Sequence, residues 1–222
     1  MLPPGMRMLK GFLPAAELRL VTREARALMQ EFDVASRSVQ VSRAKVPQPS
    51  KLARVSKEHN LSSAQEFVPV RCGELRGEYF RHYGEDGHQL LYLRGNRNMP
   101  EFARDLIIPR LEQLEEVRAV GEQLDWKQTL NVYKAEQEGG FAWHVDIPSN
   151  GDATTILTLD REATMQLRRL DAPDTTLTSV QLVPGSLALL SGEARWDWAH
   201  RVVPQVHEKD RVSLVYGCRP RG

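Results

Sequence analysis

Three side chains in the C-terminal half of the chain have the types and spacing of a metal site. His144 and Asp146 stand two residues apart in a stretch rich in aromatic and β-branched residues, which favours a β-strand. Residues i and i+2 of a strand point to the same face, so both side chains would aim at one point in space. Two ligands do not hold a metal, and His200 is the candidate for the third. Two histidines and one carboxylate on one side of a metal, with the other positions open, are typical of non-haem Fe(II) oxygenases.

Two further pairs of polar residues repeat the same spacing. Asn131 and Tyr133 precede the histidine–aspartate pair in a strand-like run, and Arg211 and Ser213 follow His200 in another. The order of these pairs matters, because a His-x-Asp sequence alone arises easily by chance in a chain of this composition. Asn131 and Tyr133 would share one face of their strand, and that face can lie beside the metal.

Composition and charge narrow the classes of protein. The 222 residues are within the range of one all-β domain and suffice to bury a core. The formal net charge is +1, so no global field would attract nucleic acid, and any basic surface must be local. Cys72 and Cys218 are the two cysteines, which are too few for a disulfide scaffold and fit a reducing compartment.

The sequence also predicts the surroundings in which the protein works. The N-terminal segment lacks the apolar core of a secretion signal. No apolar run approaches the roughly 20 residues that cross a bilayer. We therefore expect a soluble, intracellular protein, cytoplasmic by default, that is monomeric and has no membrane partner.

Hydrophobic periodicity predicts helices followed by many short strands. Apolar residues three and four positions apart predict an amphipathic helix over 15–32. A second helix begins at Asn98, and Pro109 should kink or split it. The predicted strands of the C-terminal half are 154–159, 163–168, 177–183, 186–190, 198–203 and 211–216. The predicted fold class is α+β and mainly β: a double-stranded β-helix, or jelly roll, with the N-terminal helices packed on one sheet.

No internal repeat or linker divides the chain, so we interpret residues 1–222 as a single domain. Residues 1–128 would contain the helices, a basic loop and a hairpin. Residues 129–219 would form the jelly-roll core.

Two features of the N-terminal half have two interpretations each. Residues 36–57 carry six basic residues and no acid, and two prolines forbid a regular helix. This basic loop is either a solvated surface or a lid that contacts phosphates. A hairpin predicted over 77–83 and 89–93 places Tyr79 and Tyr83 in a strand, where they either stack on a nucleobase or simply favour β structure.

The C-terminal half resembles the AlkB family of Fe(II)/2-oxoglutarate dioxygenases. The resemblance runs from about Thr129 to Arg219 and is most specific between Pro184 and His200, where the sequence reads Gly-x-x-Arg-x-x-Trp-x-His. The matching pieces are Asn131-Val-Tyr133, His144-Val-Asp146, residues 183–195, Trp198-Ala-His200 and Arg211-Val-Ser-Leu.

The resemblance implies roles for the residues of the site. His144, Asp146 and His200 would hold Fe(II), and Arg211 would pair with the distal carboxylate of 2-oxoglutarate, which a planar guanidinium meets bidentately. Arg195 would brace the site from behind or line the substrate pocket. The other implied contacts to 2-oxoglutarate are Asn131, Tyr133, Ser213 and Arg219.

The resemblance also implies a reaction. The family consumes O2 and decarboxylates 2-oxoglutarate to succinate and CO2 while it oxidises a substrate C–H bond, usually of an N-methyl group, with release of formaldehyde. The implied function is oxidative N-demethylation of an alkylated nucleobase. Single-stranded or damaged nucleic acid would bind through the 36–57 loop, with Tyr79 and Tyr83 near a flipped base.

Three departures from the family pattern bear on the substrate. Base-repair members usually carry an acidic residue directly after His-x-Asp, and here no acid follows until Asp152. The segment between Tyr133 and His144 is longer than usual. Gly217 stands where the family's second arginine normally falls, so Arg219 can take that role only if the strand bulges at Gly217. The His-Val-Asp form and the altered tail look more like the mitochondrial AlkB-like branch.

Several functions therefore stay open at the level of sequence. The substrate could be an alkylated nucleobase, a protein side chain or a small molecule. From another class, the chain could be a non-catalytic nucleic-acid-binding module on the same fold, although an intact metal triad argues against this. A cupin-like metal enzyme that does not use 2-oxoglutarate is the third alternative, and Arg211 is the residue that distinguishes it.

Overall fold

Two antiparallel β-sheets, packed face to face, surround the predicted site. The computed structural model describes residues 2–38, 67–83, 88–135 and 139–221, and only the backbone at 38, 67, 80–83 and 88. The strands in these residues are β1 (Met6–Leu9), β2 (Phe67–Cys72), β3 (Leu75–Tyr83), β4 (His88–Arg94), β5 (Leu124–Tyr133), β6 (Phe141–His144), β7 (Ala153–Thr158), β8 (Ala163–Arg169), β9 (Thr178–Leu182), β10 (Leu187–Ser191), β11 (Trp198–Val202) and β12 (Arg211–Pro220).

The order of the strands is that of a jelly roll with one enlarged sheet. The large sheet has the order β1-β10-β7-β12-β5-β4-β3-β2, and the small sheet has the order β6-β11-β8-β9. The hairpin strands therefore extend the large sheet beyond β5. The predicted α+β, mainly β fold class is confirmed. Strand β2 was not predicted as a separate strand.

The long N-terminal helix covers the outer face of the large sheet. Helix α1 (Ala15–Ser38) is longer than the predicted 15–32. Its side chains Val21, Ala25 and Phe32 are fully buried in a core shared with the large sheet. These positions belong to the apolar series seen in the sequence, so amphipathic periodicity was sufficient to find the buried face.

The second predicted helix is broken into short pieces. A π-helical turn, Ala103–Ile107, leads directly into α2 (Ile108–Leu111), and α3 (Glu115–Arg118) follows. Pro109 lies in the first turn of α2, where its missing N–H group is tolerated. A further short helix, α4 (Gly192–Trp196), precedes β11. Among the residues described, no helix is both long enough and apolar enough to span a membrane.

The alternation of side chains along β5 separates two environments. Leu130 and Val132 point to the core under the helices. Asn131 and Tyr133 point to the space between the two sheets, where they line a cavity. Since neighbouring residues of a strand face opposite sides, this register places alternate residues of β5, among them Asn131 and Tyr133, inside the jelly roll.

Replacing Phe32 by alanine is expected to lower the free energy of unfolding by about 3–5 kcal/mol. Phe32 is fully buried, and its ring lies so close to Gly77 that a Cβ there would be 2.8 Å from its Cε1 atom. Urea denaturation measures the change. Leu20→Ala, on the same helix but 39% exposed, is the matched control and should change stability by less than about 1 kcal/mol. Equal losses in both variants would contradict this packing.

Candidate metal centre and the cavity around it

The three predicted metal ligands meet between the sheets. His144 ends β6 and pairs directly with His200 on β11, and their ring centroids are 4.2 Å apart. Asp146 follows two residues after β6. One ligand atom from each of these three residues lies within 4.8 Å of the others. Strand pairing therefore unites residues that are far apart in the chain.

Hydrogen bonding orients His144 for metal binding. Its Nδ1 atom lies 2.8 Å from the carbonyl oxygen of Ala142, so Nδ1 carries the proton and donates it to that oxygen. Its Nε2 atom, which is then free of a proton, lies 3.8 Å from Oδ1 of Asp146. A backbone carbonyl that fixes the tautomer of a histidine ligand is a common device of metal sites.

The electrostatics of the site favour the forms that bind a metal. Burial raises the pKa of Asp146, but His200, His144 and Arg195 lower it, and the net pKa lies below the ordinary value. Burial lowers the pKa of His200. At neutral pH the site therefore contains a carboxylate and a neutral imidazole, which are the ligating forms.

These residues fit a divalent metal such as Fe(II). The Oδ2 atom of Asp146 is buried and makes no hydrogen bond of acceptable geometry within the described part of the chain. A buried carboxylate oxygen without a hydrogen bond loses its hydration, and a bound cation would offset that loss. Two imidazoles and one carboxylate on one side of the site are the donor set that non-haem Fe(II) enzymes use.

Arg195 holds the loop that carries Asp146. It lies on α4, is 1% exposed, and donates three hydrogen bonds of 2.9–3.0 Å to the carbonyl oxygens of Asp146, Ile147 and Gly151. Of the two roles that the sequence left open for Arg195, bracing from behind is the one observed. Its assignment as a substrate contact is corrected, because it does not line the cavity.

Arg211 is a buried cation without a described carboxylate partner. It begins β12 opposite Tyr133, is 1% exposed, and its Cζ atom lies 4.8 Å from the centre of the Tyr133 ring. Its hydrogen bonds go to the carbonyl oxygen of Arg161 and to Oγ1 of Thr158, at 3.3 and 3.4 Å. Its Nη1 atom is buried and makes no hydrogen bond of acceptable geometry to the described residues.

The surroundings of Arg211 fit an anionic cosubstrate. Burial lowers the pKa of Arg211, yet a guanidinium stays protonated in proteins. A buried charge without a counter-charge is costly, and a carboxylate that meets it bidentately removes that cost. Ser213 is also fully buried, and it stands beside Asn131 and Thr158 in the strand pairing. Thr158 and Tyr133 contact the guanidinium, and Ser213 and Asn131 stand next to them in the strand pairing.

Arg219 is not part of this arrangement. The pairing of β12 with β5 runs without a shift from Arg211 to Pro220, so no bulge forms at Gly217. Eight residues along a strand separate Arg219 from Arg211 by about 26 Å. Arg219 is 56% exposed in its side chain and pairs with Asp125 at 3.6 Å. The assignment of Arg219 to the cosubstrate is therefore corrected.

Gly217 explains why no second arginine is present. A Cβ atom at this position would lie 2.4 Å from the carbonyl oxygen of Asn150 and 2.8 Å from its Cα atom. A 3₁₀ turn, Pro148–Asn150, occupies the space where a larger side chain would project. Asn150 is buried and lines the cavity instead.

The cavity beside the metal ligands is largely apolar and aromatic. Its lining is Leu90, Tyr92, Thr129, Asn131, Tyr133, residues 141–147, Asn150, Ile156, His200, Val202 and Val215. Among the described residues of this lining, Asp146 is the one carboxylate, and it is one of the three candidate metal ligands. Uncharged polar groups and flat apolar surfaces are therefore what the cavity offers to a substrate.

Of the N-terminal candidates for substrate contact, Tyr79 lies away from the cavity. Tyr79 is fully buried on the opposite face of the large sheet, where its hydroxyl donates to Oδ1 of Asp33 on α1 at 2.8 Å. Its assignment to the substrate site is therefore wrong. The side chain of Tyr83 and residues 39–57 of the basic loop lie outside the described residues.

Three residues contribute to the site without having been predicted from the sequence. Thr158 contacts Arg211, Asn150 lines the cavity, and Arg161 accepts from Arg211 through its carbonyl group. Arg161 has a positive φ of 46°, which is unusual for a residue with a side chain. No local pattern identifies Thr158 or Asn150, because their roles depend on which strand or turn lies next to them.

Comparison with solved structures confirms the fold. The chain is similar to a Pseudomonas putida prolyl-4-hydroxylase (16% identity, TM-score 0.53, covering 98% of this chain and 94% of that one). It is similar to the non-haem α-ketoglutarate-dependent epimerase SnoN from nogalamycin biosynthesis (18% identity, TM-score 0.52, covering 97% of this chain and 80% of that one). It is also similar to a Trichoplax adhaerens prolyl hydroxylase in complex with a hypoxia-inducible-factor peptide (13% identity, TM-score 0.55, covering 97% of this chain and 83% of that one). No protein-family model matches the chain, and no curated protein matches it.

Replacing Arg195 by methionine is expected to weaken metal binding about 10- to 100-fold, since groups that support a metal ligand have effects of this size. The change leaves three carbonyl oxygens without their donor and frees the loop that holds Asp146. Anaerobic titration with Fe(II), or with Co(II) as a coloured substitute, measures it. Arg104→Met, at an exposed position, is the control. Unchanged affinity in Arg195→Met would show that the brace is dispensable.

Proposed function

We propose that this protein is an Fe(II)/2-oxoglutarate-dependent dioxygenase that oxidises a substrate C–H bond. One observation carries the proposal: a two-histidine, one-carboxylate triad and a buried guanidinium without a described carboxylate partner lie in the same jelly roll. The triad alone would fit many metal enzymes. Arg211, which forms no ion pair with a described carboxylate, adds a site for an anionic cosubstrate and argues against a cupin-like enzyme that uses none.

The residues have separate tasks in this proposal. His144, Asp146 and His200 would hold Fe(II), and Arg211 would hold the distal carboxylate of 2-oxoglutarate. When bound, Fe(II) with 2-oxoglutarate and O2 supplies the oxidising power, and the cosubstrate leaves as succinate and CO2.

The remaining side chains around the site would bind the cosubstrate and exclude water. Asn131 and Tyr133 face the same cavity and can donate hydrogen bonds to the cosubstrate. Burial raises the pKa of Tyr133, although Arg211 and Ser213 act in the opposite direction, so its hydroxyl keeps its proton and is a donor. The apolar side chains of Ile156 and Val215 line the cavity and keep water from the reacting carbon.

For the substrate we propose an alkylated nucleobase that loses an N-methyl group, as in the AlkB family. The order of the sequence motifs supports this, and so does the lining of the cavity. Tyr92 and Phe141 offer flat surfaces for a base, and Thr129 and Asn150 offer uncharged hydrogen-bonding groups for its edge.

A second candidate is hydroxylation or demethylation of a protein side chain or a small molecule. Two observations favour it. Residues 147–151, after Asp146, contain no acid that could face the amino group of a base. Two of the similar structures are prolyl hydroxylases, one of them in complex with a peptide.

The proposed activity predicts succinate formation from 2-oxoglutarate with Fe(II) and ascorbate. Adding a methylated single-stranded oligonucleotide should increase the rate and release formaldehyde. His144→Ala removes a ligand and should reduce the rate to background. A rate of succinate formation that the oligonucleotide does not change would favour the second candidate, a protein side chain or a small molecule. If the metal-loaded protein forms no succinate at all, the dioxygenase assignment is overturned.

Replacing Arg211 by methionine should weaken 2-oxoglutarate binding by at least about 30-fold, because loss of a buried charged partner costs about 2 kcal/mol or more. The melting temperature should not fall, since the change removes a buried charge that forms no ion pair with a described carboxylate. Isothermal calorimetry and thermal melting measure the two effects.

Arg219→Met serves as the matched control because Arg219 lies at the other end of the same strand. The affinity of the Arg219→Met variant for 2-oxoglutarate should equal that of the unmodified protein. Equal losses in the two variants would contradict the assigned binding site.

A further inference from the structure

The small sheet carries positive charge and no acid. Its four strands contain three arginines, Arg168, Arg169 and Arg201, and neither aspartate nor glutamate. Arg169 lies at the end of β8, where Asp171 pairs with it at 2.8 Å. The other two arginines form no ion pair among the residues described. The sheet therefore presents two positive charges that its own strands do not neutralise.

Both of these arginines lie over one indole ring. The Cζ atom of Arg168 is 4.3 Å from the centre of the Trp143 ring, and that of Arg201 is 4.9 Å from it. Arg201 is also held by a hydrogen bond from its Nε atom to Oε1 of Gln166, at 2.8 Å. Stacking on an aromatic ring leaves the N–H edges of a guanidinium available to an anion.

The rest of the outer face of this sheet is polar and uncharged. Gln166 donates to Ser179, and Gln181 donates to Thr164, at 3.3 and 3.1 Å. Ser179 and Gln181 are exposed to solvent. No carboxylate of β6, β8, β9 or β11 would repel an anion from Arg168 and Arg201.

This basic face is continuous with the cavity. β6 is the edge strand of the small sheet, and Trp143 precedes His144 on it. Trp143 lines the cavity and also contacts the two arginines. A ligand whose reacting group enters the cavity could therefore extend over Trp143 onto the basic face.

We propose that Trp143, Arg168 and Arg201 bind the phosphate backbone of a single-stranded nucleic acid whose target base enters the cavity. The inference rests on the proposed function, for which it specifies the substrate class. Guanidinium groups meet phosphate oxygens bidentately, and an indole provides a surface on which a neighbouring base stacks. An acidic peptide would use the charges but not the indole, so nucleic acid fits the group as a whole better.

The test is fluorescence anisotropy of a labelled single-stranded oligonucleotide, titrated with the full chain at several salt concentrations. For Arg168→Gln/Arg201→Gln, the slope of log affinity against log salt should fall by about 1.4, since each phosphate contact in single strands contributes about 0.7. At about 0.1 M salt this corresponds to roughly 25-fold weaker binding. Arg168→Lys/Arg201→Lys keeps both charges and should recover most of the slope.

Arg104→Gln/Arg118→Gln is the matched control for charge. Both positions are exposed, they lie on the helical segments that cover the opposite sheet, and neither residue forms a described ion pair. This control should keep the affinity and the slope of the unmodified protein. Equal weakening in both double variants would mean general charge attraction and would overturn the proposal.

A second probe separates nucleic acid from protein. Binding of a poly-glutamate peptide that depends on Arg168 and Arg201, without binding of the oligonucleotide, would also overturn the proposal. The binding experiment needs no turnover, so its result is independent of succinate formation. Oligonucleotide binding in a protein that makes no succinate would refute the dioxygenase and leave this surface standing.

Discussion

The two-residue alternation of β5 and β12, paired at the centre of the large sheet, is the constraint on which the site depends. One set of side chains, including Leu130 and Leu214, is buried beneath the helices. The other set, including Asn131, Arg211 and Ser213, lies between the sheets. A shift of one residue in this pairing would exchange the two sets and bury charge in the apolar core, so burial of the apolar set also specifies the position of the polar one.

Arg195 and Arg211, the two most buried arginines among the described residues, show how the same side chain can serve structure and binding. Arg195 donates to three carbonyl oxygens and secures the loop of Asp146. Arg211 is equally buried, but one of its terminal nitrogens makes no acceptable hydrogen bond to the described residues. A satisfied buried cation stabilises its surroundings, whereas an unsatisfied one lowers stability unless a ligand completes it. We infer that the protein accepts this loss of stability in order to bind an anion.

In the proposed function, the cavity between the sheets and the outer face of the small sheet would bind different parts of the substrate. The space between the sheets is apolar apart from Arg211, a few amide and hydroxyl groups and the three candidate metal ligands, and it would suit a compact target group. The outer face of the small sheet carries two arginines that form no ion pair with the described residues, and these would suit an extended polyanion. Trp143 belongs to both regions, so in the proposed function it would link recognition of the target to recognition of its neighbours.

The jelly-roll class, helix α1, most of the C-terminal strands and the grouping of His144, Asp146 and His200 could be predicted from the sequence. These features follow from short-range periodicity and from motifs whose spacing is set by local chain geometry. The sequence did not determine the roles of Tyr79, Arg195 and Arg219, nor the contributions of Thr158 and Asn150. Each of these depends on which face of a strand is covered and which distant segment packs there: Tyr79 faces α1, and Asn150 fills the space at Gly217. These neighbours follow from the three-dimensional packing, because non-local contacts select among arrangements that the local sequence allows equally.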